Sequence, residues 1–275
     1  MYGGTTVDDA IERVILTMRR RLGEPMTVDD LARTARFSKF HFTRIFQRAT
    51  GVSPGRFLSA MRLNEAKRLL ITTSMKVTEI SYRVGYNSVG TFTSRFSASV
   101  GLSPTEYRRL NGYARAIEAA SAPYDDSAGG TTVMTVIHPP ATGGLGPTFV
   151  GVFPTPIPEG RPVRCAVLDQ PRAHRFDRVP TGRWYLLSAL VDPSGFTEGD
   201  ESRLIGEPSF VGTYGPFDVH DGVPVLHADI HLQPVRPTDP PILLALVDVS
   251  GAGGGVTVEA LHGAPRNRAA LALSG

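Results

Sequence analysis

Five side chains between positions 39 and 47 are of types that bind the edges of flat, hydrogen-bonding rings. Lys39, Phe40, Thr43, Arg44 and Gln47 fall along one side of a helix, because residues three and four apart are neighbours on its surface. Arginine offers paired donors that match a guanine edge, glutamine matches adenine, and threonine or phenylalanine can touch a thymine methyl. Arg44 could equally serve a phosphate. Fifty positions later Val89, Gly90, Thr93 and Ser94 hold the places of Lys39, Phe40, Thr43 and Arg44, with Arg95 one step beyond.

Two other groups invite a chemical reading. Cys165 is the only cysteine, so no disulfide can form within the chain, and no basic partner beside it suggests a redox switch. His227, Asp229 and His231 alternate along an expected strand and so share a face, opposite Leu226, Ala228, Ile230 and Leu232. Such a trio could hold zinc or another divalent ion; a solvated polar face has the same pattern. The expectation is no catalytic residues, no metal, no cofactor and no enzyme.

The ring-reading residues need a helix in a fixed place, and the chain specifies it twice. Aligned on Ser38 and Ser88, Phe42 meets Phe92, Phe46 meets Phe96, Gly51 meets Gly101, and Ser53-Pro54 meets Ser103-Pro104. The serines can accept the unpaired N–H groups at a helix start. The phenylalanines sit four apart and face a core. The glycines can take the left-handed conformation that ends a helix, and Ser-Pro opens the next. Upstream, Thr27-Val-Asp-Asp resembles a capping box, and Thr78-Glu79-Ile80-Ser81 begins the second copy's short helix. Helix, tight turn, helix is the helix-turn-helix pattern. Between the copies, residues 54–72 place Phe57, Met61, Leu63, Ala66, Leu69 and Leu70 at helical spacing. Nineteen residues span about 28 Å, close to the ~34 Å of one DNA turn.

Charge and proline divide the chain at one place. Residues 1–112 carry 18 Lys+Arg against 9 Asp+Glu, a net +9; residues 113–275 carry 11 against 17, a net −6; together they make the overall +3. The basic half is the half that seeks a polyanion. Only Pro25, Pro54 and Pro104 of the 22 prolines precede residue 112, so the first half reads as helical and the second as strands and turns. The expected organisation is a DNA-binding domain over 7–112, a linker over 113–130, a β domain over 131–250 and a flexible tail over 251–275. No apolar run approaches a membrane span and no signal peptide is visible, which suits the cytoplasm.

Residues 7–110 resemble the DNA-binding domain of the AraC/XylS family of bacterial transcription regulators. The resemblance rests on Leu31-Ala32, Phe37-Ser38, His41-Phe42, Arg44, Phe46, Gly51, Ser53-Pro54, Arg62-Leu63, Val84-Gly85-Tyr86, Ser88, Phe92, Phe96, Gly101, Ser103-Pro104 and Tyr107-Arg108. It implies two helix-turn-helix units on a joining helix, reading adjacent major-groove segments of double-stranded DNA, with Phe40, Thr43 and Arg44 facing bases. The family often has arginine at the position of Ser94. Its place here, at Arg95, turns the charge toward the backbone or into an internal ion pair, so the second unit is expected to discriminate less. Family regulators also imply RNA polymerase as a partner. The family's name-giving arabinose regulator has its sugar domain first, whereas here the DNA reader leads, so no sugar ligand carries over.

The second half reads as strands at 132–137, 148–153, 163–168, 174–179, 184–191, 223–232 and 242–249, an all-β antiparallel sandwich. Residues 176–195 resemble the turn and strand of prealbumin-like or carboxypeptidase-regulatory-like sandwich domains. Stretches 184–191 and 242–247 are apolar at almost every position, although a strand with one wet face should alternate. The helical domain, a second copy of the chain or an apolar ligand is expected to cover the outer face, and the loose linker favours the second copy, hence a homodimer. The reading is a transcription regulator whose β domain senses a small-molecule effector or mediates assembly. The alternative is a DNA-binding protein whose β domain is an enzyme or a structural module.

Overall fold

The repeated phrase forms repeated structure. In the computed structural model, which describes residues 6–114, 130–141, 145–190, 208–220, 222, 225–247 and 256–257, the first part is helical. Its elements are α1 (Val7–Arg20), α2 (Val28–Ala35), α3 (Lys39–Thr50), α4 (Pro54–Thr72), α5 (Val77–Arg83), α6 (Val89–Val100) and α7 (Pro104–Arg109). Ser38, Ser53, Ser88 and Ser103 cap four helix starts. Gly51 and Gly101 close α3 and α6 at φ 76° and 88°. One cap differs from expectation. Lys76, not Thr78, precedes α5, and its side chain has no acceptor to offer; only Glu79 reaches back, to the Lys76 N–H at 2.8 Å.

The second part is strands: β1 (Tyr113–Ala114), β2 (Thr131–His138), β3 (Thr148–Phe153), β4 (Arg164–Leu168), β5 (Ala173–Val179), β6 (Gly182–Leu190), β7 (Phe210–Val219), β8 (Val225–His227), β9 (Ile230–His231), β10 (Gln233–Pro234), β11 (Leu246–Val247) and β12 (Val256–Thr257). One sheet has the order β10-β7-β6-β3-β4-β12; another has β5-β2-β8 with β9 also on β2. They share one apolar cluster, with Val133, Ile137 and Phe176 from one sheet and Val150, Leu168, Trp184 and Leu186 from the other.

Several expectations are corrected. The larger sheet is antiparallel, but β8 and β9 run parallel to β2, because the chain crosses from one sheet to the other before reaching them. The stretch expected at 223–232 breaks between β8 and β9. Strand β7 was not expected, since Gly215-Pro216 interrupts its pattern. The interruption falls where the β6–β7 register shifts between Trp184 and Leu186, and a bulge is where a strand tolerates proline. Val256 and Thr257, in the supposed tail, pair with β4. The rest of that tail, the linker between 115 and 129, and positions 191–195, 223–224 and 248–249 lie outside the described residues.

The apolar run at 242–247 is a strand only at its end. From 242 to 245 its side chains alternate between two cores. Ile242 and Leu244 pack with Phe149, Phe153, Tyr185 and Leu187 on the outer face of the larger sheet. Leu243 and Ala245 enter the helical core of Leu63, Phe92, Phe96 and Tyr107. From 242 to 245 every position is apolar because each side of the segment faces a core, so the chain itself covers the outer face there and no second copy is needed for it. Polar contacts line the same seam. Lys67 on α4 donates to the Ile242 and Leu244 carbonyls at 2.9 and 3.1 Å. The Ala245 N–H donates to the Val100 carbonyl at 3.2 Å, and the Gly160 N–H to that of Ser99 at 2.7 Å. Glu159 pairs with Arg56 and accepts from Ser99. Ile157 joins the other helical core, beside Phe42, Phe46 and Phe57. Each helix-turn-helix core therefore contains apolar side chains from beyond residue 112.

Candidate nucleic-acid interface

The turn that aims α3 is fixed by local bonds. The Thr27 N–H and hydroxyl donate to Asp30 at 2.8 and 2.6 Å, and the Asp30 N–H returns a bond to the hydroxyl at 3.2 Å. These bonds from Thr27 hold the Asp30 carboxyl below its ordinary pKa. After α2, Arg36 turns left-handed at φ 60°, and the Phe37 N–H bonds back to the Ala32 carbonyl at 3.1 Å. Phe42 and Phe46 are fully buried, with ring centroids 5.5 Å apart; Phe92 and Phe96 repeat this at 5.6 Å. In both units one face of the helix is locked inward, which fixes what faces out.

On α3, Lys39, Phe40, Arg44 and Gln47 are exposed and Thr43 is half-buried, its hydroxyl donating to the Lys39 carbonyl at 2.9 Å. Phe40 is 81% exposed, so packing against a neighbouring helix does not account for it. Lys39 reaches Asp29 on α2 at 2.8 Å, an exposed pair of the kind that contributes little stability and exchanges partners readily. Arg44 makes no ion pair among the described residues. On α6, Gly90, Ser94 and Arg95 are exposed and Val89 and Thr93 half-buried. A Cβ on Gly90 would meet only the Ser88 hydroxyl, at 3.9 Å, so this helix presents open space where α3 presents an aromatic ring. Arg95 is in no ion pair among the described residues. Arg36 is exposed in the turn just before α3, a cation that spacing along the helix could not reveal.

The two units are tied through α4. Arg62 donates from Nε to the Leu22 carbonyl at 3.0 Å and from Nη2 to the Glu24 carbonyl at 2.8 Å. Its guanidinium fills the place of a side chain at Gly85, where a Cβ would lie 2.8 Å away, and burial lowers its pKa from the usual value. One residue thus touches the α1–α2 loop and the turn of the second unit. Arg62→Met keeps the stem and removes the donors. It should cost about 1–3 kcal/mol, read as a lower urea midpoint with an unchanged slope.

The other candidates do not converge. His227, Asp229 and His231 do share an exposed face, with Ala228, Ile230 and Leu232 buried behind them. His231 stacks on His138 at 4.3 Å, and Asp229 accepts from the Val136 N–H. Among the described residues no three His, Cys, Asp or Glu side chains are placed to hold a metal ion. Burial pushes the Cys165 thiol up to about 12, which leaves it a thiol at neutral pH. No described helix is long and apolar enough to cross a membrane.

Comparison with known proteins agrees with the helical geometry. Residues 31–110 match the family model described as a helix-turn-helix domain. The chain is 30% identical over 98 residues to the HTH-type transcriptional activator AarP of Providencia stuartii, covering 36% of this chain and 73% of that protein. It is 32% identical over 99 residues to the transposon Tn10 TetD protein of Escherichia coli, covering 36% and 72%. Other relatives are longer, and the match spans about a third of their length. Among solved structures, the DNA-binding domain of AdpA, a global transcriptional factor in complex with a target DNA, aligns at 32% identity and a TM-score of 0.36, over 37% of this chain and 91% of that one. The chain belongs to the AraC/XylS family of transcription regulators, with its DNA-binding domain at the N-terminus.

Proposed function

We infer that this chain regulates transcription by reading two adjacent major-groove segments of double-stranded DNA, one with α3 and the next with α6. The 19 residues of α4 set a span of about 28 Å between the units, near one turn of the duplex. Arg44 and Gln47 address base edges, Phe40 and Thr43 address thymine methyls, and Lys39 addresses phosphate. Val89, Gly90, Thr93, Ser94 and Arg95 make a more backbone-directed second reader, since Arg95 is its only charge. The DNA-binding domain takes residues 7–112 and the β region takes 131–250. We read its two sheets as a sandwich that senses an effector or mediates contact with RNA polymerase.

One observation carries this reading. The β region is seated on α4 and the C-terminal end of α6, through Lys67, Ser99 and Val100, while Phe40, Arg44, Gln47, Ser94 and Arg95 stay exposed among the described residues. The described part of the second domain is docked without covering the proposed readers. A single chain also supplies both readers, so no dimer is required.

Selection of binding sites from random duplexes by the purified full chain tests the reading. A split motif with its halves about ten base pairs apart is expected, with affinity falling steeply as salt rises, because each neutralised phosphate releases counterions. Arg44→Ala should cost about 1–3 kcal/mol and relax the preference at one base position. A uniform loss across all sequences would move Arg44 to the phosphate backbone. No enriched motif at all would end the sequence-specific reading.

A further inference from the structure

The seam between the helical domain and the β region holds a cleft of about 150 Å³. Ile15 and Arg19 come from one face of α1, Phe57, Met61 and Asn64 from one face of α4, and the far wall is the segment ending at Ile242. Spacings of four and of four and three align each helical set on one stripe. Pro237, Pro240 and Pro241 form part of that wall, and their fixed φ angles make it rigid before anything binds.

The lining has a definite chemistry. Ile15 and Phe57 are almost fully buried, so the floor is apolar. The charged side chains are Arg19, Arg236 and Asp239. Arg236 donates to Asp239 at 2.9 Å from Nη2, so these two cancel. Arg19 is exposed and in no ion pair among the described residues. Among the described residues the net charge facing the cleft is therefore +1. A cavity of about 150 Å³ accepts a body the size of a benzene ring, and a guanidinium at its rim selects a carboxylate with two parallel hydrogen bonds.

The geometry points to this cleft as a binding site for a compact apolar monocarboxylate, held by Arg19 with its body against Ile15, Phe57, Met61 and Ile242. The inference rests on the effector-sensing reading of the second domain and gives that effector a place and a class. The occupant touches α1 and α4 on one side and the 236–242 segment on the other, so it stabilises the docked arrangement.

Calorimetric titration of the full chain with benzoate, without DNA, tests it. Benzoate should bind; benzyl alcohol should bind at least tenfold more weakly, and benzylammonium should give no heat. Arg19→Gln should weaken benzoate at least tenfold by removing the carboxylate partner. Val235→Trp, at a half-exposed rim position, should do the same by filling the cleft without disturbing a core. Absence of benzoate binding, equal binding of the neutral or cationic probe, or unchanged binding by both variants would overturn the site. DNA affinity of the same variants, expected within twofold of the parent, is measured separately. A failure of benzoate with DNA binding intact removes only this site, whereas loss of DNA binding by the parent removes the regulator reading.

Discussion

Leu243→Ala in the full chain is expected to destabilise the second helix-turn-helix unit by about 2–5 kcal/mol, the range for truncating a fully buried leucine. Leu243 is 0% exposed and lies among Leu63, Phe92, Phe96 and Tyr107, more than a hundred positions back along the chain. Leu243→Asp should do more, because a carboxylate there must either stay buried and unpaired or pull the whole segment out. Hydrogen exchange locates the effect: amides of α6 should lose protection while those of α2 keep theirs. Leu244→Ala is the control. It faces Phe153 and Leu187 instead, so it should loosen the larger sheet and spare α6. Equal protection of α6 in Leu243→Ala and the parent would show that the unit's core is complete without this residue.

Phe46→Ala and Phe96→Ala should each cost about 3–5 kcal/mol, with opposite consequences for the DNA footprint. Phe46 packs edge-on to Phe57 at 5.4 Å and Phe96 to Tyr107 at 5.6 Å. On the proposed reading, each ring is the seat of its own reading helix. Without Phe96, α6 loses its fixed direction, and protection from cleavage should shrink to the half-site read by α3. Without Phe46, the half under α6 should remain, at much lower affinity, because that helix lacks the aromatic and the outward arginine at the matching positions. Loss of the whole footprint in both folded variants, at every protein concentration, would mean that the units act only together.

The helical elements that place the candidate readers were legible because their signals are local. A serine before each helix, phenylalanines four apart and a glycine after the last turn are fixed by the backbone's own hydrogen bonds, and α4 spans 54–72 as the spacing suggests. Helix α1 was not read as an element in its own right, although Thr6 and Asp9 form a capping box at its start. The strands were harder because their partners are distant in sequence. Gly215-Pro216 hid β7, whose neighbour β6 supplies the reason that a bulge is tolerated there. The parallel pairing of β2 with β8 depends on a crossover between sheets, which no local pattern records. The apolar run at 242–247 signals burial on both sides, but period alone cannot say against what; the alternation of Leu243 and Leu244 between two domains answers it for 242–245, which is a cover for the sheet and not one of its strands. The outward placement of Phe40 and Arg44 follows from helix phase, whereas the tie through Arg62 joins segments that sequence spacing does not bring together.

Because each helix-turn-helix core is finished by a side chain from the second domain, Ile157 for one and Leu243 for the other, the order of synthesis matters. The last helix of the DNA reader ends at Arg109. At roughly 5–20 residues per second, the ribosome needs on the order of ten seconds more to deliver Leu243. During that interval the nascent reader has its caps and its phenylalanines but a gap in the second core. A chain broken off inside the β region keeps that gap permanently. On the proposed reading, a firm grip on DNA by the second unit then waits for Leu243, and a product that lacks it is expected to compete poorly for the same site.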